Sequence, residues 1–314
     1  MSRSVLVTGA SGFIGAPLVR ALVREGWQVR AAARDPASML TIKGAERVVM
    51  PELARPADWW PLLDGISHVV HLAGIAHAPG ALPDDLYTRI NAEAVGELAD
   101  AARGRIERLV FISSVRAQVG LAADHAIRES DPPQPTDAYG RSKLAAERLI
   151  AASGVSFTVL RPAVVYGRGV KGNIASLATL ARTAMPLPFA GLENKRSLLA
   201  LQNLLSAITL VLTKDAAAGE TFLAADPEPI SVADLVTAMR EGLGRAPHLV
   251  RVPAGAVKRL MASFGKEAEW DRLSGSFIID AAKLMGIGWR PSVTTREGIA
   301  AMMRASGSNG AMPG

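Results

Sequence analysis

The 314-residue chain reads as an α/β protein, a doubly wound parallel sheet with a smaller C-terminal lobe. Three observations predict it. Short apolar runs around residues 5–7, 69–70 and 109–112 alternate with helical stretches rich in alanine and leucine, the order that builds parallel sheets. The first run enters a glycine turn and passes at once into a helical pattern. Beyond residue 168 that regular alternation gives way to segments joined by proline and glycine. The expected division is a dinucleotide-binding domain over 1–168 with a return near 196–213, a lobe over 169–304, and a flexible tail over 305–314.

The opening turn carries Gly9, Gly12 and Gly15, with Ser11, Phe13 and Ile14 between them. Gly9 permits a sharp turn off the strand, Gly12 lets backbone approach a pyrophosphate, and Gly15 lets the following helix pack against the sheet. The helix N-terminus then offers free N–H groups and a positive dipole end to an anion. The second strand, 27–35, ends in Ala33 and Arg34. A small residue leaves room for a 2′-phosphate that arginine can bind, so NADP is favoured over NAD. Arg34 also suits plain solvation of a strand end, a reading the neighbouring Asp35 keeps open.

A third strand over 48–50 is followed by Glu52 and Leu53, and a fourth over 67–74 ends in Leu72, Ala73 and Gly74, small enough to pass beneath a cofactor. His68 and His71 are an odd number of positions apart on that strand, hence on opposite faces, and no metal pair is expected. A helix over 86–102 holds Asn91, a residue usually exposed in mid-helix. The fifth strand, 109–114, ends in Ser113 and Ser114, where ligands gather in open parallel sheets. A long connection over 116–137 follows. Tyr139 and Lys143 then lie one helical turn apart, and an ammonium near a phenol favours the phenolate.

Composition narrows the function. Cysteine is absent, which removes thiolate catalysis and disulfides, and the net charge of +6 suits an anionic substrate. No aromatic-basic pattern points to nucleic acid. The apolar stretch 198–212 is too short to span a bilayer and reads as a strand followed by a core helix. The start, Met1-Ser2-Arg3-Ser4, leads straight into the first strand with no signal peptide, so a cytoplasmic location is expected.

With these residues in place, the chain resembles the extended short-chain dehydrogenase/reductase family, and within it the nucleotide-sugar epimerases, dehydratases and 4-keto-sugar reductases. The matching motifs are TGASGFIG at 8–15, HLAG at 71–74, FISS at 111–114, YGRSK at 139–143 and RPAVVYG at 161–167. The resemblance implies a Rossmann-type sheet with a substrate-binding C-terminal lobe. It implies that Tyr139 is the acid/base, that Lys143 holds the nicotinamide ribose, and that Ser114 binds the same substrate oxygen, with Ser113 the weaker candidate. Asn91 helps order the site, and Pro162 joins the cofactor-binding set. Asn173, Arg196 and Arg272 match places that contact a sugar nucleotide; Asn173 equally suits a helix cap, and either arginine a surface ion pair.

One departure is informative. Dehydratases of this family place an Asp-Glu pair after the catalytic hydroxyl, whereas this chain has Val115 and Arg116, so dehydration is disfavoured. The expected activity is C4 epimerisation or 4-keto reduction of a nucleoside-diphosphate sugar, with a homodimer compatible. The alternatives are reduction of a non-nucleotide carbonyl compound and a non-catalytic NAD(P)-binding subunit.

Overall fold

The structure, a computed structural model, describes residues 3–39, 41–75, 82–120, 123–263, 265, 270 and 275–307. The strands in chain order are β1 (Ser4–Thr8), β2 (Gln28–Ala33), β3 (Ala45–Val49), β4 (His68–His71), β5 (Arg108–Ile112), β6 (Phe157–Pro162), β7 (Val164–Tyr166), β8 (Lys195–Arg196), β9 (Leu198–Ala200), β10 (Glu220–Ala224) and β11 (Ile230–Ser231). Seven of them form one sheet in the order β3-β2-β1-β4-β5-β6-β10, every neighbouring pair parallel. The chain winds outward from β1 to β3, then reverses through β4 to the other edge. The reversal lies between β1 and β4, and the carboxyl ends there form the crevice in which such sheets hold ligands.

Strand residues alternate between two cores. Val5 and Val7 of β1 join one core with Val70 and Val110, while Leu6 joins the other with Val69, Leu109 and Phe111. Both faces are covered, so the strands read as continuous apolar runs rather than alternating ones. On the first face lie α1 (Gly15–Arg24) and α7 (Leu201–Thr213), which bury Leu18, Val19 and Leu22, and Leu204, Ala207, Ile208 and Val211. On the second lie α4 (Ala94–Ala102) and α5 (Ala138–Ser153), preceded in the chain by the short α2 (Trp60–Leu63) and α3 (Asp84–Thr88). The segment 198–212 forms β9 followed by α7, the strand and core helix its pattern predicts.

A third core sits around α6 (Asn173–Ala181), α8 (Val232–Gly242) and the closing helix Thr295–Gly307. One buried carboxylate ties it to the sheet. Asp226 accepts hydrogen bonds from the Ala200 N–H, Asn203 Nδ2 (2.7 Å) and Tyr166 Oη (3.0 Å). Burial pushes its carboxyl up, and those donors oppose the shift.

The structure departs from the sequence expectations in three places. The late strand that joins the sheet is not in the expected return, because β9 pairs with β7 in a separate two-stranded ladder; it is β10, whose Phe222, Leu223 and Ala224 are fully buried beside β6. The final helix continues through Ala305–Gly307, residues expected in the tail, and Ser306 Oγ donates to the Met302 carbonyl; residues 308–314 lie outside the described set. Asn91, expected on an exposed helix face, is fully buried in a π-helical turn, Arg89–Glu93, that joins α3 to α4.

The two histidines of β4 face opposite cores, as their odd spacing predicts. His68 meets the Trp27 ring edge-on at 5.0 Å, and His71 meets Trp59 at 6.0 Å on the other side. Burial drives His71 from 6.5 down to about 3, with the Lys143 charge a further cause, so it is neutral in the folded protein. The unfolded chain takes up a proton on this ring below pH 6.5 while the folded chain does not until near pH 3. Stability is therefore fully present above pH 6.5 and falls as the pH drops, by up to about 1.4 kcal/mol per pH unit from this residue. Urea unfolding at a series of pH values should show a shallower acid dependence in a His71→Leu variant; identical slopes would mean His71 is charged in the fold.

Candidate active site

The crevice begins with the glycine loop. Gly9 has φ +66°, and a Cβ there would lie 3.0 Å from the Ala73 nitrogen, so β1 turns directly beneath the end of β4. The turn is fastened by Thr8 Oγ1, which accepts the N–H groups of Leu72 (3.1 Å) and Ala73 (3.2 Å) and hydrogen-bonds His71 Nδ1 (3.0 Å). A Cβ on Gly15 would sit 2.2 Å from the Gly9 carbonyl oxygen, which only glycine avoids. Helix α1 consequently starts hard against the loop. The N–H groups of Phe13 and Ile14 make no hydrogen bond among the described residues, and Ser11 and Gly12 are exposed. A dinucleotide pyrophosphate fits this cradle: free donors, no Cβ at Gly12, and a helix N-terminus behind them.

Around the adenosine end, Arg34 is exposed at the end of β2, next to the buried Ala33. The Asp35 carboxylate accepts the Ala37 N–H at 3.0 Å and caps a short turn. Glu52 is exposed, within 3.6 Å of Arg55, while Leu53 is buried.

Ser113 and Ser114 follow β5. The Ser114 Oγ accepts the Arg116 N–H at 3.1 Å and caps a 3-10 turn, Val115–Ala117. Across from it α5 begins with Asp137 as its cap, one carboxylate oxygen accepting the Gly140 N–H at 2.7 Å and the other paired with Arg116 Nη2 at 2.5 Å. This junction brings Ser114 to Tyr139. The phenol is half-buried, faces the Tyr87 ring edge-on at 6.4 Å, and lies within electrostatic reach of the Ser114 hydroxyl.

One turn on, Lys143 is buried and its Nζ donates to the Ile112 carbonyl at 3.0 Å, 4.6 Å over the Phe111 ring. Burial brings its ammonium down to about 8. The phenol moves the other way: burial raises it, opposed by the Ser114 hydroxyl. The net direction is therefore up rather than the expected lowering, and the Lys143 ammonium donates to the Ile112 carbonyl.

Asn91 completes the cluster. Its Oδ1 accepts the Ile75 N–H at 2.9 Å, and its Nδ2 donates to the Ile75 carbonyl (2.9 Å) and to Ser142 Oγ (3.1 Å). Gly74, at φ +153°, leaves 2.6 Å between a built Cβ and Asn91 Oδ1 and 3.9 Å to Lys143 Nζ. Gly74, Asn91 and Lys143 thus meet where β4 and α5 face each other. Pro162 is buried at the end of β6.

On the lobe side, Asn173 is the exposed first residue of α6, and its side chain caps nothing there. Arg196 Nη1 donates to the Gly275 carbonyl at 2.7 Å, with its guanidinium 5.3 Å over the Phe277 ring. Burial disfavours the Arg196 charge, and so does Arg116, which places the two arginines within electrostatic reach of each other. Arg272 lies outside the described residues. Sequence reasoning missed Glu147 and Arg161, although Glu147 continues the face of Tyr139 and Lys143 by one further turn.

Comparison with known proteins agrees with this geometry. The model of the NAD dependent epimerase/dehydratase family matches residues 5–225. The chain is 32% identical over 310 residues to UDP-glucose 4-epimerase of Vibrio cholerae, covering 95% of this chain and 94% of that one. It is 30% identical to GDP-6-deoxy-D-mannose reductase of Pseudomonas aeruginosa over 321 aligned positions, 96% of this chain and 97% of that one. Among solved structures, MoeE5 in complex with UDP-glucose and NAD superposes with a TM-score of 0.75 at 26% identity, covering 98% of this chain and all of that one. The chain belongs to the NAD dependent epimerase/dehydratase family and is an enzyme of the extended short-chain dehydrogenase/reductase type.

Proposed function

We propose that the protein is a UDP-sugar 4-epimerase. The observation that carries this reading is the meeting of Ser114, Tyr139 and Lys143 beside the glycine loop, in a chain aligned almost end to end with a UDP-glucose 4-epimerase. The loop N–H groups of Phe13 and Ile14 hold the cofactor pyrophosphate, Leu72, Ala73 and Gly74 pass beneath the dinucleotide, and Lys143 holds the nicotinamide ribose. When bound, the nicotinamide cofactor would supply a reversible hydride acceptor.

Tyr139 takes the proton from the sugar C4 hydroxyl as that carbon is oxidised and gives it back when the ketone is reduced from its other face. Ser114 hydrogen-bonds the same oxygen. A phenol raised by burial is a poor base, so the Lys143 ammonium must favour the phenolate in the loaded enzyme. Val115 and Arg116 stand where the dehydratases of the family carry an Asp-Glu pair, which disfavours loss of water. Asn173, Arg196 and Arg272 bind the nucleotide-sugar diphosphate and its sugar.

A second reading, 4-keto-sugar reduction, is favoured by Arg34. Ala33 presents no acid to the adenosine ribose and Arg34 is exposed beside it, the arrangement that accepts a 2′-phosphate. A reductase must exchange its cofactor, and NADPH is the usual donor for net reduction.

Two experiments test these assignments. Incubation with UDP-glucose should yield its C4 epimer with no net change in NAD(P)H absorbance, and Tyr139→Phe should lower turnover roughly 100-fold or more while cofactor binding persists. Full turnover in that variant would remove Tyr139 from the chemistry. In direct titrations Arg34→Ala should weaken NADPH by about tenfold and leave NADH nearly unchanged, as loss of one charge-assisted phosphate contact requires. Equal effects on both cofactors would remove the case for NADP.

A further inference from the structure

Beneath the residues assigned to catalysis runs a buried chain of charged and polar groups that the mechanism above leaves unused. Tyr139, Lys143 and Glu147 follow one another at four-residue intervals down one face of α5. The Glu147 carboxylate accepts the Ser113 hydroxyl at 2.5 Å and Arg161 Nε at 3.0 and 3.2 Å, and is also paired with Arg161 Nη2. The other end of the Arg161 guanidinium donates to Gln118 Oε1, and Gln118 Nε2 donates to the Asp131 carbonyl. The Gln134 N–H closes the loop onto the Gln118 carbonyl at 2.8 Å. Ser113, Gln118, Glu147 and Arg161 are all buried.

Each link ties down one piece of the site. Ser113 is the residue before Ser114, and its N–H is held by the Leu160 carbonyl next to Arg161. Gln118 is the last residue of the turn that Ser114 caps. Glu147 lies on the helix that carries Tyr139 and Lys143. A single ion pair thus joins β5, β6, α5 and the capped turn.

We infer that the Glu147–Arg161 pair is a positioning unit, holding the end of β5, the turn after it and α5 in the one register at which Ser114, Tyr139 and Lys143 meet. This rests on the catalytic reading of those three residues. Removing a buried ion pair and replacing it with apolar side chains of similar volume is commonly tolerated, so its presence here points to geometry and charge rather than to stability.

The pair also sets the charge environment of Lys143. The groups around that ammonium are Tyr139 and Glu147 on α5, His71 on β4, which is neutral, and the Phe111 ring on β5, with Arg161 on β6 behind Glu147. Burial lowers the ammonium to about 8 and Glu147 is the charge that opposes this. Catalysis that needs the ammonium is present below that value and lost above it. Without the Glu147 charge the limit moves to lower pH.

The test is the pH profile of kcat/KM for Glu147→Gln and for the double variant Glu147→Met with Arg161→Met, which removes both charges and keeps the volume. Both should move the alkaline limb to lower pH and reduce kcat about tenfold, a barrier increase of about 1.4 kcal/mol, with substrate KM within about twofold. Ser113→Ala, which removes one hydroxyl only, should reduce kcat and leave the limb where it is. If the folded double variant keeps the wild-type limb and kcat, the inference is wrong. Tyr139→Phe run alongside separates the cases: inactivity there with wild-type behaviour in the double variant sinks the positioning role alone, whereas activity there sinks the catalytic reading itself.

Discussion

The site depends on how closely α5 lies against the turn that follows β5. A Cβ built on Gly140 would stand 2.3 Å from the Arg116 carbonyl oxygen, far inside any tolerated contact. Glycine at this position lets the first turn of the helix rest on the backbone of 115–117, and Asp137 locks the approach by capping α5 with one oxygen and holding Arg116 with the other. Ser114 is fixed by the same turn through the Arg116 N–H. The hydroxyl and the phenol therefore meet through backbone packing, before any ligand is bound. A larger residue at 140 would separate them without touching either.

Charge is placed with similar economy. His71, Glu147, Arg161 and Asp226 are buried titratable groups, and each is either discharged or multiply bonded. His71 loses its charge, with the nearby Lys143 ammonium contributing to that loss. Glu147 keeps two partners and Asp226 several, which is what an interior of low polarity demands of a carboxylate. Lys143 is the exception in kind. It holds one carbonyl and one ring face, so its ammonium has donors to spare for a ribose.

The parts of this architecture that were legible in the sequence are those fixed by local rules. The glycines at 9, 12 and 15 announce a strand-turn-helix, with Gly9 and Gly15 making contacts a side chain would break, and the four-residue spacing of Tyr139 and Lys143 puts them on one face of any helix. What was not legible depends on distant partners. Asn91 in mid-helix looks exposed, and only the π-helical turn and the segment ending at Ile75 explain its burial. Glu147 looks like an ordinary helix-surface acid until Arg161, fourteen positions later, arrives on β6. That β10 rather than β9 joins the sheet was hidden for the same reason: the stretch 220–224 is short, and its pairing with β6 is a matter of topology rather than of pattern.

Whether the site epimerises or reduces turns on cofactor retention rather than on the reacting groups. Both reactions use one proton donor and one hydride at C4, so Ser114, Tyr139 and Lys143 would serve either. Epimerisation returns the hydride within a turnover, and a cofactor that never leaves gains from every contact along its length. Reduction consumes the hydride, and a cofactor that must leave gains more from contacts that discriminate NADPH from NADH than from those that hold both. On the proposed function, the glycine loop and the 72–74 segment would be of the first kind, meeting groups common to both cofactors, and the exposed Arg34 would be of the second. The balance between these two sets of contacts would then select the reaction.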